Sequence, residues 1–417
     1  MPARLNRTII GLFLGSSMLL HAAVLWKEWW AIPIGFPDFS IFYTAGTILR
    51  QGNGAMLYDQ KLQEAVQGSF AAAGVANRGS ILPYFHPPFE AVFFVPFTHF
   101  SYLTAYFLWM AINLAIVVTL SLKLRRELPA LASLPGWFWA LAGLGFSPIF
   151  VALVQGQDSI LLLFCYTMAF LALRRNSEIS AGSWLALGLV KYHLLLPFLL
   201  AFLWQRRTKV IAGFLAGVAI LGAIAILGVG WQGLRSYPHY VWQSEHSNIY
   251  RWNNFHGNTT NLRGLLLTEL PGGELPQNAK VVLGLLIASS LAVLGIAGRA
   301  WMGLKSFASP EGELAFALNL VATLLVSYHA FVQDMSLLFL ALLLALNVVL
   351  ARPEVAGWRR TSLLICAAIL ACTPIYLVLI LTYSQLSAIT WVVLVFFAAL
   401  VSSVAILRQN ALVPSAE

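Results

Sequence analysis

Ionisable side chains that stand among apolar residues are the first candidates for chemistry in this chain. Lys191 lies in the middle of an apolar stretch, and aspartate occurs at only four positions, Asp38, Asp59, Asp158 and Asp334. Charged groups at membrane depth are costly, so they usually mark function. One carboxylate can deprotonate a hydroxyl, and cations can stabilise a phosphate leaving group. This inventory fits sugar transfer from a phosphate donor better than glycoside hydrolysis, which uses a pair of carboxylates.

The composition excludes a soluble protein. Of the 417 residues, 59% are apolar and 10% are charged, whereas soluble domains carry about 25% charged residues. The net charge of +9 comes from short basic runs between apolar stretches, which is typical of membrane topology, so no nucleic-acid partner is expected. We therefore predict a single all-α polytopic membrane domain over residues 1–417, in contact with membrane lipids.

Apolar stretches of the length that a helical span needs, about 20 residues, recur along the chain. They lie at 9–30, 102–122, 136–154, 158–173, 182–204, 209–230, 280–298, 313–330, 334–350, 361–382 and 387–407. The stretch 182–204 has basic residues on both flanks, Lys191 near its middle and Pro197 after it. One crossing would put a basic flank on the wrong side, so we predict two short helices in a V with Lys191 near the apex. The total is about twelve membrane segments.

The basic residues also predict the orientation. Sixteen lysines and arginines fall in one set of loops and eight in the other, and the richer set is expected in the cytoplasm. Both termini would then be cytoplasmic in a bacterial inner membrane. Two long segments, 31–101 and 231–279, would face the outside together with all four aspartates. Within the first, an amphipathic stretch at 60–73 predicts an interfacial helix, and an apolar run at 87–97, too short to span, predicts an interfacial or re-entrant helix.

The outer side restricts the donor that a synthetic enzyme could use. It offers neither ATP nor soluble nucleotide sugars, so an activated sugar must arrive in the membrane, as it would on a polyprenyl phosphate. That leaving group needs charge neutralisation, while the acceptor hydroxyl needs one base. Lys191, His329 and Arg263 are cations or donors near this face. No Asp-x-Asp pair stands on the outer side, so neither a metal nor another cofactor is expected.

A series of short motifs runs from about residue 9 to residue 350. They are Pro37-Asp38-Phe39, Tyr43-Thr44-Ala45-Gly46, Leu57-Tyr58-Asp59, Tyr84-Phe85-His86-Pro87-Pro88-Phe89, Gln155-Gly156-Gln157, Gly188-Leu189-Val190-Lys191, Gly257-Asn258, Asn261-Leu262 and Ser327-Tyr328-His329 with Asp334. Their order resembles the GT-C superfamily of membrane glycosyltransferases, specifically glycosyltransferase family 87 (DUF2029), which includes polyprenyl-phosphate-mannose-dependent mannosyltransferases. The family usually shows Ser-Pro-His where Tyr328 stands and Lys-Pro at Lys191-Tyr192.

The resemblance implies a GT-C-like bundle and an inverting, metal-independent transfer of mannose to a lipid or glycan acceptor, with Asp38 as the catalytic base. The expected contacts of the donor phosphate or sugar are Lys191, His329, Gln155, Gln157, His86 and Arg263. The expected contacts of the acceptor or the sugar are Tyr43, Tyr84, Asn258, Asn261 and Asp334.

Structural alternatives remain for several of these residues. Lys191 could bond to backbone carbonyls at the apex of the V, and Gln155 and Gln157 could cap a tight turn. Asp59 is expected to be the N-cap of a helix that begins at residue 60.

For the whole chain, the alternatives are a transporter or flippase of lipid-linked sugars and an inactive scaffold of envelope synthesis. Transporters commonly contain repeats with paired broken helices, whereas this sequence shows one broken segment and no convincing repeat. Asp38, Lys191 and His329 together argue against an inactive scaffold.

Overall fold

The structure is a computed structural model that describes residues 3–246, 256–269, 279–383 and 385–412, and every regular element in these ranges is helical. The α-helices are α1 (Ala3–Glu28), α2 (Phe39–Arg50), α3 (Gln60–Arg78), α4 (Pro88–Phe94), α5 (Tyr102–Glu127), α6 (Gly136–Leu144), α7 (Ser147–Gln155), α8 (Ser159–Arg174), α9 (Glu178–Leu187), α10 (Tyr192–Trp204), α11 (Thr208–His246), α12 (Leu262–Glu269), α13 (Ala279–Trp301), α14 (Pro310–Val326), α15 (Leu338–Ala351), α16 (Trp358–Leu370), α17 (Thr373–Val378) and α18 (Ile389–Leu412). The all-α prediction is confirmed.

Seven helical stretches in the described ranges are long and apolar enough to cross a membrane, and two bent helix pairs raise the number to nine. The bent pairs are α6 with α7, at 66°, and α16 with α17, at 59°. Every predicted apolar stretch coincides with a helix or a helix pair. However, α8 and α14, with 16 and 17 residues, are shorter than a full crossing. The count of about twelve membrane segments therefore stays a prediction.

The stretch formed by α9 and α10 is long enough for one crossing, but its contacts show that it turns back on itself. Lys191, between the two helices, has a non-helical backbone (φ −126°, ψ 69°). Glu178, at the start of α9, pairs with Arg207, just after α10, at 2.7 Å. Lys191 lies at the other end of both helices, 3.2 Å from Asp158 at the start of α8. The two helices thus form the predicted V with Lys191 at its apex.

The segment after residue 230 differs from its prediction as a loop. Helix α11 continues to His246 through a kink at Gly230, where φ is +70°, a conformation that glycine adopts without steric cost. Two aromatic residues of this segment pack on the first long segment. The rings of Tyr237 and Tyr240 lie with their centroids 5.3 and 5.1 Å from that of Tyr58. The predicted segment 231–279 therefore begins with helix, and residues 247–255 and 270–278 lie outside the described residues.

The segment 31–101 contains α2, α3 and α4. Asp59 caps α3, because its carboxylate accepts a hydrogen bond of 2.9 Å from the Leu62 N–H, which confirms the predicted N-cap. Helix α2 is buried over Phe39–Ile48, so it belongs to the core. Asp38 directly precedes its N-terminal end. The placement of α3 and α4 at a membrane interface stays a prediction.

Five ion pairs of the described residues lie at the end of the bundle opposite to Lys191, which we call the far end. They are Arg174–Glu127, Arg174–Glu313, Arg175–Glu127, Arg207–Glu178 and Arg408–Glu311. The helices that carry them run from this end to the end that holds Lys191, Asp158 and Asp334. The ion pairs and the candidate site thus lie at opposite ends of the bundle.

Candidate active site

A cavity of about 230 Å3 lies where the first long segment, the apex of the V and the α14–α15 connection meet. Apolar and aromatic side chains with a few convergent polar groups form its wall, as is usual for a small-molecule site. Seven of the twelve predicted site residues line it: Asp38, His86, Gln157, Lys191, Arg263, His329 and Asp334. The sequence therefore predicts residues far apart in the chain that the fold brings to one place.

Asp38 occupies the N-cap position of α2, but its side chain makes no capping bond. Its Oδ2 instead accepts a hydrogen bond of 2.6 Å from Gln157 Nε2, and its backbone N–H donates to Gln155 Oε1 at 3.2 Å. Burial raises the pKa of Asp38 above the ordinary carboxyl value, although the Gln157 bond and the charges of Lys191 and Arg78 oppose the rise. A carboxylate with a raised pKa is a stronger base.

The turn Gln155-Gly156-Gln157 positions both amides against Asp38. Gly156 has φ +64°, and a β-carbon added there would stand 2.7 Å from Cβ of Phe39. The carbonyl of Gly156 accepts a hydrogen bond of 2.9 Å from the Trp109 indole. A glycine is therefore required for the close approach of this turn to the start of α2.

Lys191 is buried and surrounded by acceptors. Its Nζ lies 2.6 Å from Asp334 Oδ1, 3.2 Å from Asp158 Oδ1 and 3.3 Å from Gln157 Oε1. An ammonium has three N–H donors, and these three oxygens can use all of them. The partners of the Lys191 ammonium are therefore two carboxylates and an amide, rather than the backbone carbonyls that the sequence also allowed.

His86 stands between two buried carboxylates that belong to different helices. Its Nδ1 lies 2.9 Å from Glu90 Oε2 and 3.3 Å from Asp158 Oδ2. Burial opposes the charged imidazole, but the two carboxylates outweigh it and raise the pKa of His86 to about 10.

His329 also lines the cavity and packs against His193, with ring centroids 4.3 Å apart and the ring planes tilted by 38°. Arg263 is nearby, with its guanidinium 4.2 Å from the centre of the Tyr328 ring. This wall offers one cation and two imidazoles to an anion.

The other five predicted site residues do not line the cavity. Gln155 contacts the Asp38 backbone, while the Tyr43 and Tyr84 hydroxyls donate to the carbonyls of Phe100 and Pro87. Asn261 is buried and bridges the Ser327 carbonyl and the Gly264 N–H. Asn258 ends a 3-10 turn. These residues support the walls by their packing and backbone contacts.

Sequence reasoning missed Glu90, His193 and the role of Asp158. Glu90 follows His86 by four residues at the start of α4, a spacing at which side chains on a helix meet, so this pair could be found in the sequence. The approach of Asp158 to His86 depends on the packing of α8 against the first segment, which no local pattern specifies.

Comparison with known proteins gives one match. The family model described as glycosyltransferase family 87 matches residues 84–328, which include four of the seven predicted residues on the cavity wall. No curated protein and no solved structure matches the chain.

Proposed function

Because this chain belongs to glycosyltransferase family 87, we propose that it transfers a sugar, with mannose expected, from a polyprenyl-phosphate donor to a lipid or glycan acceptor. The proposed reaction takes place at the outer face of a bacterial inner membrane. Asp38 acts as the base, and the configuration at the anomeric carbon is inverted.

The observation that carries this proposal is the unequal environment of the two carboxylates on the cavity wall. Asp334 is neutralised by Lys191 at 2.6 Å and also accepts from the Ser159 hydroxyl and the Phe331 N–H. Asp38, in contrast, has no cation within 4.0 Å among the described residues and accepts from one amide. One free carboxylate and one neutralised carboxylate suit a single-base transferase.

The chemistry follows from this placement. The acceptor hydroxyl attacks the anomeric carbon as its proton passes to Asp38, and the bond between that carbon and the donor phosphate oxygen breaks. Polyprenyl phosphate leaves with the bonding electrons, and Arg263 with His329 stabilises its charge. Attack opposite to the departing phosphate inverts the anomeric centre.

The orientation of the proposal rests on the separation of charges between the two ends. The far end carries four arginines that form five ion pairs, and regions rich in basic residues face the cytoplasm. The cavity, at the other end of the same helices, then faces outward and is reached by a donor that diffuses in the outer leaflet.

The donor class is tested with purified protein and a lipid-extract acceptor. Polyprenyl-phosphate-mannose carrying a radiolabelled sugar should yield labelled product, while the same label presented as a nucleotide sugar should yield none. Transfer from the nucleotide sugar at an equal rate would contradict the proposed donor.

A further inference from the structure

His86, Glu90 and Asp158 form a compact cluster behind the cavity wall. His86 reaches the cavity with a side chain that is 17% exposed, whereas the side chains of Glu90 and Asp158 are 1% and 0% exposed. One ligand-type atom from each residue lies within 4.8 Å of the others. Glu90 comes from α4 and Asp158 precedes α8, so the cluster joins the first long segment to the bundle.

His86 Nδ1 lies close to Glu90 Oε2 and Asp158 Oδ2, but these atoms do not form well-aligned hydrogen bonds. His86 Nδ1 and both oxygens of Glu90 are buried, and none forms an aligned hydrogen bond with a described residue. The contact distances from Nδ1, 2.9 and 3.3 Å, are close to the separation of neighbouring ligands around an ion, which is about 3 Å for metal–ligand bonds of about 2.1 Å. An ion at the centre would therefore need little movement of these side chains.

The charge around the cavity also favours a cation. Asp38, Glu90, Asp158 and Asp334 stand together, and the basic side chains within 4.0 Å of any of them in the described part of the chain are Lys191 and His86, so the four carboxylates outnumber the cations. Buried carboxylates are normally paired or bound to a metal. The arrival of an anionic phosphate in the cavity increases the need for positive charge.

We propose that His86, Glu90 and Asp158 bind one divalent metal ion. One imidazole with two carboxylates is a ligand set for Mn2+ or Zn2+, and the second Glu90 oxygen is available for bidentate coordination. The ion crosslinks α4 to the start of α8, and Asp158 transmits its position to Lys191 at 3.2 Å. This inference replaces the metal-free expectation from the sequence, and it does not depend on the identity of the transferred sugar.

The test measures Mn2+ binding to the full-length, metal-stripped protein in detergent, by loss of the electron paramagnetic resonance signal of free Mn2+. Wild type should bind one ion per chain, and Glu90→Gln and Asp158→Asn should weaken binding at least about tenfold. Matched controls are Glu64→Gln and Asp59→Asn, which make the same chemical changes on or beside α3. These should bind as wild type does.

A second measurement guards against variants that fail to fold. Mn2+ should raise the thermal unfolding midpoint of the wild type and of both controls, and Glu90→Asp, which keeps a shorter carboxylate, should show a smaller rise. Absence of bound Mn2+ in the wild type would overturn the proposal. The positive charge of the cluster would then be a proton on His86. Binding that is unchanged in both Glu90→Gln and Asp158→Asn would overturn it as well.

Discussion

At the scale of single residues, Lys191 and His329 line the same cavity but differ in what holds them. Lys191 is fixed between two buried carboxylates, so it neutralises the protein's own charge before any donor arrives. The side chain of His329 packs against the rings of His193 and Phe331 and lies beside Asp334 and Arg263. The sequence predicts that both side chains bind the sugar donor. Because their contacts differ, we expect substitution of each to have a different effect.

We predict that Lys191→Met lowers the free energy of unfolding by about 3–5 kcal/mol, because it leaves buried carboxylates without their cation. His329→Ala should leave the stability almost unchanged and weaken donor affinity. Denaturant unfolding and donor binding, measured on both variants, separate the two roles. A Lys191→Met protein that is as stable as wild type would show that the ion pairs do not hold the apex of the V.

At the scale of elements, the turn between α7 and α8 shows how a short motif sets the site. The sequence identifies Gln155-Gly156-Gln157 as a candidate motif and allows a turn or a binding role. The structure shows the turn, in which the conformation of Gly156 delivers both amides to Asp38. Contact of these amides with the donor stays a prediction.

Gly156→Ala should reduce transfer at least about tenfold, because the new methyl group displaces Phe39 and shifts the neighbouring Asp38. Gly52→Ala is the matched control, since Gly52 has φ +77° but no atom within 4 Å of an added β-carbon. Both variants carry backbone strain, and only the first carries a clash. Equal transfer rates in the two variants would contradict the positioning role of the turn.

The V of α9 and α10 predicts the sidedness of its two flanks. In a background without Cys165, Cys366 and Cys372, single cysteines at Asn176 and Thr208 should both be labelled from the cytoplasmic side. The reagent is a membrane-impermeant maleimide applied to intact cells and to inverted vesicles. Labelling of the two positions from opposite sides would mean that α9 and α10 cross the membrane as one span.

At the scale of the whole molecule, the apolar stretches and their basic flanks predict the helical class, the positions of the apolar segments and the V. These features are local in sequence, and burial in a bilayer requires them directly. The cluster of His86, Glu90 and Asp158 and the helical continuation of α11 past Gly230 were not predicted. Both depend on packing between α11 or α8 and the segment 31–101, which places distant residues in contact without a local signal.

The central claim is that Asp38 is the base of a membrane glycosyltransferase, and the most direct measurement compares donor binding and transfer in Asp38→Asn and Asp59→Asn. Asparagine preserves the shape of each side chain, and Asn at position 59 can still cap α3. Asp38→Asn should bind the polyprenyl-phosphate donor as wild type does, while its rate of transfer falls at least about a hundredfold. Asp59→Asn should match wild type in both donor binding and transfer. Near-wild-type transfer by Asp38→Asn, with transfer abolished in Asp334→Asn, would contradict the claim and assign the base to Asp334.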